Sequence, residues 1–395
     1  MRLASRMERL GTETAFDVLR RAKELECTMD IIHLEIGEPD FATPKHIIEA
    51  AKQALDEGWT HYGPSAGLPE LRQAIAEYAG RLRGVKFFPE QVVITPGGKP
   101  VMAFAIMALV ETGDEVIYPN PGFPIYESMI EYMGGRPVPI RLREERGFRL
   151  DSEELSSMVN TRTKLIVINS PANPTGGVLT KEDLRLIADT ALKNNVWILA
   201  DEIYSEIVYD SRFESIAQFP EIHPRLIILD GFSKTFAMTG WRVGYGIMPK
   251  DMAEKMARIE TNINSCTTTF IQRACLAALQ GPHNEVDKMI AEFKRRRDFI
   301  VEGLNRLPGF RCLLPEGAFY AFPNIEGTGL DCKVLADRLL EEVGVACLAG
   351  TCFGKYGDGF LRFSYANSIE NIACALERIE KFLRSPKSTG CRARL

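Results

Sequence analysis

Short apolar runs alternate with amphipathic stretches from about residue 45 to about residue 250, and this alternation restricts the fold more than any other feature. Val92–Thr95, Glu115–Tyr118, Leu165–Asn169, Val196–Ala200 and Leu226–Leu229 each have the length of a buried strand. The segments between them carry apolar residues at helical spacing. The reading is an α/β fold, a mainly parallel sheet with helices on both faces. In such a sheet the loops after the strands lie along one edge, where ligands bind. Those loops hold Gly97-Gly98, Phe123, Asn173, Asp201 and Lys234, so the fold assignment itself brings them together.

The rest of the chain reads differently. Thr14–Glu26 predicts a helix and Ile31–Ile36 a short strand that breaks at Gly37 and Pro39. Thr43-Pro44 is expected to open the next helix, with Thr43 as its cap. Thr180 with Asp183 predicts a capping box. Pro249–Gln280 reads as mostly helical, with a break near Asn262–Thr267. After a helix at Glu285–Leu304, Phe310–Leu314 and Ala318–Phe322 read as a hairpin. A helix at Cys332–Val343, strands at Val345–Cys347 and Phe360–Ser364 and a helix at Ser368–Leu383 complete a smaller α+β layer. The basic run Lys294-Arg295-Arg296-Arg297 reads as a solvated helix face, and the tail Ser385–Leu395 as frayed. The expected division is 1–45 as an arm joined to the small domain, 46–281 as the large domain and 282–395 as the small one.

Composition excludes several functions. A net charge of -5 over 395 residues gives no basic footprint for nucleic acid. No apolar run reaches membrane-spanning length, and Met1–Arg6 lacks the apolar core of a signal peptide. The 9 cysteines form no Cys-x-x-Cys pair and only 5 histidines exist, so neither a disulfide framework nor a structural metal site is expected. Free thiols in the cytoplasm are the expectation. No G-x-G-x-x-G opens a helix, which counts against a nicotinamide-dependent oxidoreductase. Gly97-Gly98-Lys99-Pro100 lacks the ending of a Walker A loop, yet its glycines before a helix suit an anion.

A lysine just past a strand is, taken alone, more often a surface residue. Held near apolar groups and a cation, Lys234 is instead a candidate Schiff-base nucleophile, and Ser233 and Arg242 beside it could hold a phosphate. An aspartate, a lysine, an arginine and an asparagine, each on its own loop, suit pyridoxal phosphate. That cofactor needs a lysine for its aldehyde, a carboxylate for its ring nitrogen and an anion pocket. Ile36-Gly37-Glu38-Pro39-Asp40-Phe41, Asn173-Pro174-Thr175-Gly176, Asp201-Glu202-Ile203-Tyr204, Ser233-Lys234 with Trp241-Arg242, and Gly317-Ala318-Phe319-Tyr320 before Arg362 occur in that order. By these motifs, from Leu34 to about Leu383, the chain resembles the class I/II aminotransferases, enzymes of pyridoxal-phosphate fold type I.

The resemblance implies a seven-stranded sheet in the large domain, and a role for each matching position. Lys234 would carry the cofactor and move the substrate's Cα proton. Asp201 would pair with the ring nitrogen, while Asn173 and Tyr204 would donate to the ring's phenolic oxygen. Phe123 would stack on the ring. Ser233, Arg242 and the backbone N–H groups of Gly98 and Lys99 would hold the phosphate, and Tyr62 would reach the phosphate of a neighbouring subunit in a homodimer. Arg362, helped by Gly37 and Asn173, would clamp the substrate's α-carboxylate. Lys99 occupies a place where the acid-preferring bacterial aspartate aminotransferases carry a lysine. Aspartate or glutamate with a 2-oxo acid is therefore the leading substrate pair, with aromatic or neutral amino acids left open. A C–S or β-lyase using the same cofactor is the rival chemistry. A ligand-sensing regulator is the non-catalytic rival; it would carry a helix-turn-helix domain ahead of a pattern that here starts within the first few dozen residues.

Overall fold

In the run Leu165–Ile168 successive side chains point to opposite faces, and both faces are buried. Leu165 and Val167 enter one hydrophobic core, Ile166 and Ile168 another. Ile198 and Ala200 against Leu199, and Leu226 and Ile228 against Ile227 and Leu229, divide in the same way. A strand with two buried faces must be apolar throughout, which is why these runs do not alternate with polar residues.

The computed structural model describes residues 3–385; of the tail read as frayed, all but Ser385 lies outside the described residues. Its strands are β1 (Ile32–His33), β2 (Val92–Thr95), β3 (Glu115–Asn120), β4 (Arg136–Arg141), β5 (Thr163–Asn169), β6 (Trp197–Asp201), β7 (Leu226–Gly231), β8 (Gly244–Ile247), β9 (Tyr320–Ala321), β10 (Val345–Ala346), β11 (Leu348–Ala349) and β12 (Leu361–Ser364). A 7-stranded sheet has the order β2-β8-β7-β6-β5-β3-β4, parallel except where β8 runs against β7 and β2.

The helices are α1 (Ala15–Leu25), α2 (Lys45–Asp56), α3 (Pro69–Arg83), α4 (Lys99–Leu109), α5 (Ile125–Tyr132), α6 (Ser152–Met158), α7 (Lys181–Asn194), α8 (Lys250–Ile263), α9 (Thr269–Gln280), α10 (Asn284–Arg306), α11 (Cys332–Val343) and α12 (Ile369–Arg384). α2, α3, α6, α7 and α9 pack into the core on one face of the sheet, and α4, α5 and α8 into the core on the other. The expected capping box on α7 is present. A separate core gathers α10, α11 and α12 around β9, β11 and β12, and β1 pairs with β10 beside them. Among the described residues no helix is long and apolar enough to cross a membrane, and the described cysteines are free thiols.

The structure corrects several expectations. Thr43 does not cap α2: Pro44 stands at that position, and the Thr43 hydroxyl donates to the Ala237 carbonyl at 2.6 Å while accepting from Trp241 Nε1 at 3.0 Å. The expected hairpin is a single bridge between Arg311 and Asn324; β9 pairs with β12 instead. The basic run on α10 is not a solvated face throughout. Arg296 and Arg297 are buried, held by Asp40 and Glu292 and by Asp210 and Asp298 respectively. Arg136–Arg141, whose alternation of Val138 and Ile140 is interrupted by Pro137 and Pro139 and for which no strand is predicted above, forms the edge strand β4.

Candidate active site

The carboxyl ends of β2, β3, β5, β6 and β7 surround a cavity of about 520 Å³. Gly37, Gly98, Lys99, Phe123, Asn173, Asp201, Tyr204, Ser233, Lys234, Arg242 and Arg362 all line it. Of the residues singled out in the sequence, Gly97 is outside the lining, packed against Arg242, and Tyr62 stands apart, 88% exposed.

Lys234 follows β7 on a loop fastened by the Thr43 hydroxyl. Its Nζ donates to the Gly37 carbonyl at 2.6 Å. Burial, reinforced by the charges of Arg362 and Arg242, pulls its pKa down to about 8 against the opposing pull of Glu13 and Glu38. A lysine so placed supplies free amine near neutral pH.

Asp201 ends β6 with its side chain out of water. Burial raises its carboxyl to about 6, although the Tyr126 hydroxyl donates to Oδ2 at 2.6 Å and the Ile203 N–H to Oδ1 at 3.3 Å. A carboxylate held there gains from a cation brought within the cavity. Tyr126, on α5, is held well above its ordinary pKa by burial and by Asp201, and so remains a donor.

The anion cradle lies where α4 begins. Gly98 is the cap residue; Pro100 has no N–H and the Val101 N–H donates to the Gly98 carbonyl at 3.0 Å, which leaves the N–H groups of Gly98 and Lys99, both in the cavity lining, for an anion. Gly97 has φ +89°, and a Cβ there would lie 2.2 Å from Arg242 Nη2. Only glycine lets the guanidinium close on this turn. Ser233 and Arg242 complete the cradle, with Arg242 Nη1 also donating to the Thr239 carbonyl at 3.0 Å.

Arg362 comes from β12 and is buried. Its Nη1 donates to Asn173 Oδ1 at 3.0 Å and its Nη2 to the Glu35 carbonyl, but its Nε has no partner. The guanidinium lies 4.5 Å from the Tyr320 ring centroid and 4.8 Å from that of Phe353. No carboxylate among the described residues pairs with it. A buried cation with an unmet N–H is a receptor for an incoming carboxylate. The Tyr204 and Tyr320 hydroxyls share a hydrogen bond of 2.7 Å. Tyr320 also comes so close to Gly37 that a Cβ there would meet its hydroxyl at 2.1 Å.

Pyridoxal phosphate fits this set: an amine for the aldehyde, a buried carboxylate for the ring nitrogen and a glycine-lined, cationic cradle for the phosphate. Sequence reasoning missed Tyr126, Tyr320 and Glu13. Tyr126 looked like any apolar helix residue, Tyr320 appeared only within a motif, and Glu13 resembles a solvated acid. Only its place at the start of a helix at the sheet's carboxyl edge could have marked Tyr126.

The model of the family "Aminotransferase class I and II" matches residues 29–379. An aspartate aminotransferase of Pyrococcus horikoshii is 43% identical over 94% of this chain and 94% of its own. Aromatic-amino-acid aminotransferase 2 of Thermococcus litoralis is 40% identical over 98% of this chain and 100% of its own. The solved structure of Thermus thermophilus aspartate aminotransferase with maleate superposes with a TM-score of 0.93 at 37% identity, covering 96% of this chain and 100% of that one. The chain therefore belongs to the class I and II aminotransferases and is a pyridoxal-phosphate-dependent transaminase.

Proposed function

We propose that this transaminase takes aspartate or glutamate as amino donor and a 2-oxo acid as acceptor, the two half-reactions alternating at one site. Support comes from the pairing of a buried, partly unsatisfied Arg362 with Lys99 at the cavity mouth, which suits a molecule with a carboxylate at each end. Relatives named for aspartate favour the same reading. The cofactor supplies an electron sink for the bond at the substrate's Cα. The protein supplies the rest. Arg362 with Asn173 and Gly37 holds the α-carboxylate, and Lys234 Nζ takes and returns the proton at Cα. Asp201, steadied by Tyr126, would keep the ring nitrogen protonated. Tyr204 and Asn173 would donate to the ring's phenolic oxygen and Phe123 would stack on the ring. Ser233, Arg242 and the N–H groups of Gly98 and Lys99 would hold the phosphate.

The assembly in this proposal is a homodimer, in which exposed Tyr62 reaches the neighbouring subunit's phosphate. The chain works in the cytoplasm as a large lobe, 46–281, and a small lobe, 282–395 with 1–45. The test scores aspartate, tyrosine and alanine by the change in cofactor absorbance, in wild type and Lys99→Ala. Aspartate should convert the cofactor stoichiometrically with release of its 2-oxo acid. Lys99→Ala should raise its KM about tenfold, the loss of one charge-assisted contact. Release of ammonia and pyruvate from an added cysteine S-conjugate, its thiol leaving from Cβ, would make the enzyme a lyase, and an unchanged preference for aspartate in Lys99→Ala would remove Lys99 from the side-chain pocket.

A further inference from the structure

Glu13 precedes α1 on a segment fastened to α5. Arg9 Nε donates to the Glu131 carbonyl at 2.7 Å, and the Ser128 hydroxyl to the Gly11 carbonyl at 3.2 Å. Glu13 from this segment and Ala15 and Phe16 from the start of α1 line the cavity. Glu13 Oε2 lies 2.5 Å from Lys99 Nζ, with the two side chains 22% and 46% exposed. The same Nζ lies 5.7 Å from the Phe16 ring centroid and 5.4 Å from that of Phe123. Glu13 also opposes the depression of the Lys234 pKa, so its charge is felt at the reacting end of the cavity.

The charge that would welcome an acidic side chain is thus already neutralised from within the chain, between two aromatic rings. We propose that Glu13 is a specificity-determining residue, whose carboxylate occupies on Lys99 Nζ the place that a substrate's distal carboxylate must take. The proposal rests on the reading of Lys99 given above and narrows it. An acidic amino acid binds by displacing Glu13, because two carboxylates crowded on one ammonium repel each other. A half-exposed ion pair is weak enough for a doubly held substrate to break. An aromatic amino acid binds with the pair intact, its side chain against Phe16 and Phe123. One pocket then accepts both classes, with acids bearing the cost of displacement.

The test measures binding of succinate and 3-phenylpropionate to the holoenzyme by calorimetry. It compares wild type, Glu13→Gln, Lys99→Ala and the double variant, with kcat/KM for aspartate and phenylalanine determined alongside. Glu13→Gln should tighten succinate about three- to tenfold and raise the aspartate-to-phenylalanine ratio by a similar factor. Both gains should vanish when Lys99 is alanine, since the effect acts through that residue. A gain that persists without Lys99, or succinate binding that Glu13→Gln leaves unchanged or weaker, overturns the proposal. If Lys99→Ala alone weakens succinate while Glu13→Gln does nothing, the Lys99 reading stands and the Glu13 proposal falls. If neither substitution moves succinate, both fall.

Discussion

The floor of the cavity, built from strand ends of the large sheet, buries Asp201 and an ion network behind it, whereas the mouth, built from the segment before α1 and the first turn of α4, leaves its charges partly in water. Behind the floor, buried Arg83 on α3 donates to Glu202 and to Asp230, each at 2.7 Å, tying together the ends of β6 and β7. Those two strand ends lead to Asp201 and to the Lys234 loop. The Ser215 and Ser205 hydroxyls donate to the same two carboxylates. A buried ion network of this kind adds little stability over an apolar core, but removing one member strands a charge, so geometry is held tightly. At the mouth the Glu13–Lys99 pair is half in solvent, where such contacts are individually weak. Shared chemistry belongs on the rigid floor and choice of substrate at the adjustable mouth. Relatives of nearly equal identity are named for aspartate and for aromatic amino acids, so overall similarity does not decide the donor.

If that contrast holds, damage to the floor should be large and indifferent to the donor. Asp201→Asn should lower kcat/KM about a thousandfold for every amino acid, the scale of a lost preorganised charge contact, with circular dichroism unchanged. Activity near wild type would mean that Asp201 does not govern the ring nitrogen. Arg362→Lys keeps the charge but loses the fork that a carboxylate meets with two bonds. It should cost about a hundredfold in kcat/KM, again for all donors alike. A loss confined to one donor would move Arg362 from the shared chemistry to the choice of donor and so break the comparison.

The smallest effect is on stability. Burial holds the folded Asp201 carboxyl up to about 6, above its ordinary 3.8. The folded state therefore retains a proton that the unfolded chain has released. This contribution is complete below pH about 4 and is lost as pH rises through about 6. Cofactor-free wild type should lose up to about 3 kcal/mol over that interval relative to Asp201→Asn. Urea unfolding of both at pH 4.5 and 7 reads this directly. Parallel pH dependences would mean that the carboxyl is not held neutral.

Much of the floor was legible in the sequence because its constraint is local. A strand buried on both faces has to be a continuous apolar run, and its end has to be followed by the loop that carries the chemistry. What stayed hidden depends on distant partners. Arg136-Pro137-Val138-Pro139-Ile140-Arg141 reads as no strand because proline cannot donate to a ladder, yet at the edge of a sheet one side needs no donor. Arg296 and Arg297 look solvated until Asp40 and Asp210 arrive from far along the chain. Thr43 has the composition of a helix cap, but its hydroxyl is used to fasten the Lys234 loop. Glu13 and Lys99, separated by most of the first hundred residues, carry no mark of their meeting at the mouth.

The account turns on Lys234 as the residue that carries the cofactor. The most direct measurement is borohydride reduction of the enzyme loaded with pyridoxal phosphate, followed by peptide mass spectrometry. The account predicts one pyridoxyl group per chain, on Lys234, and loss of the visible absorbance of bound cofactor in Lys234→Ala. A reduced adduct on any other lysine, or a protein that stays colourless with the vitamer in excess, would contradict it.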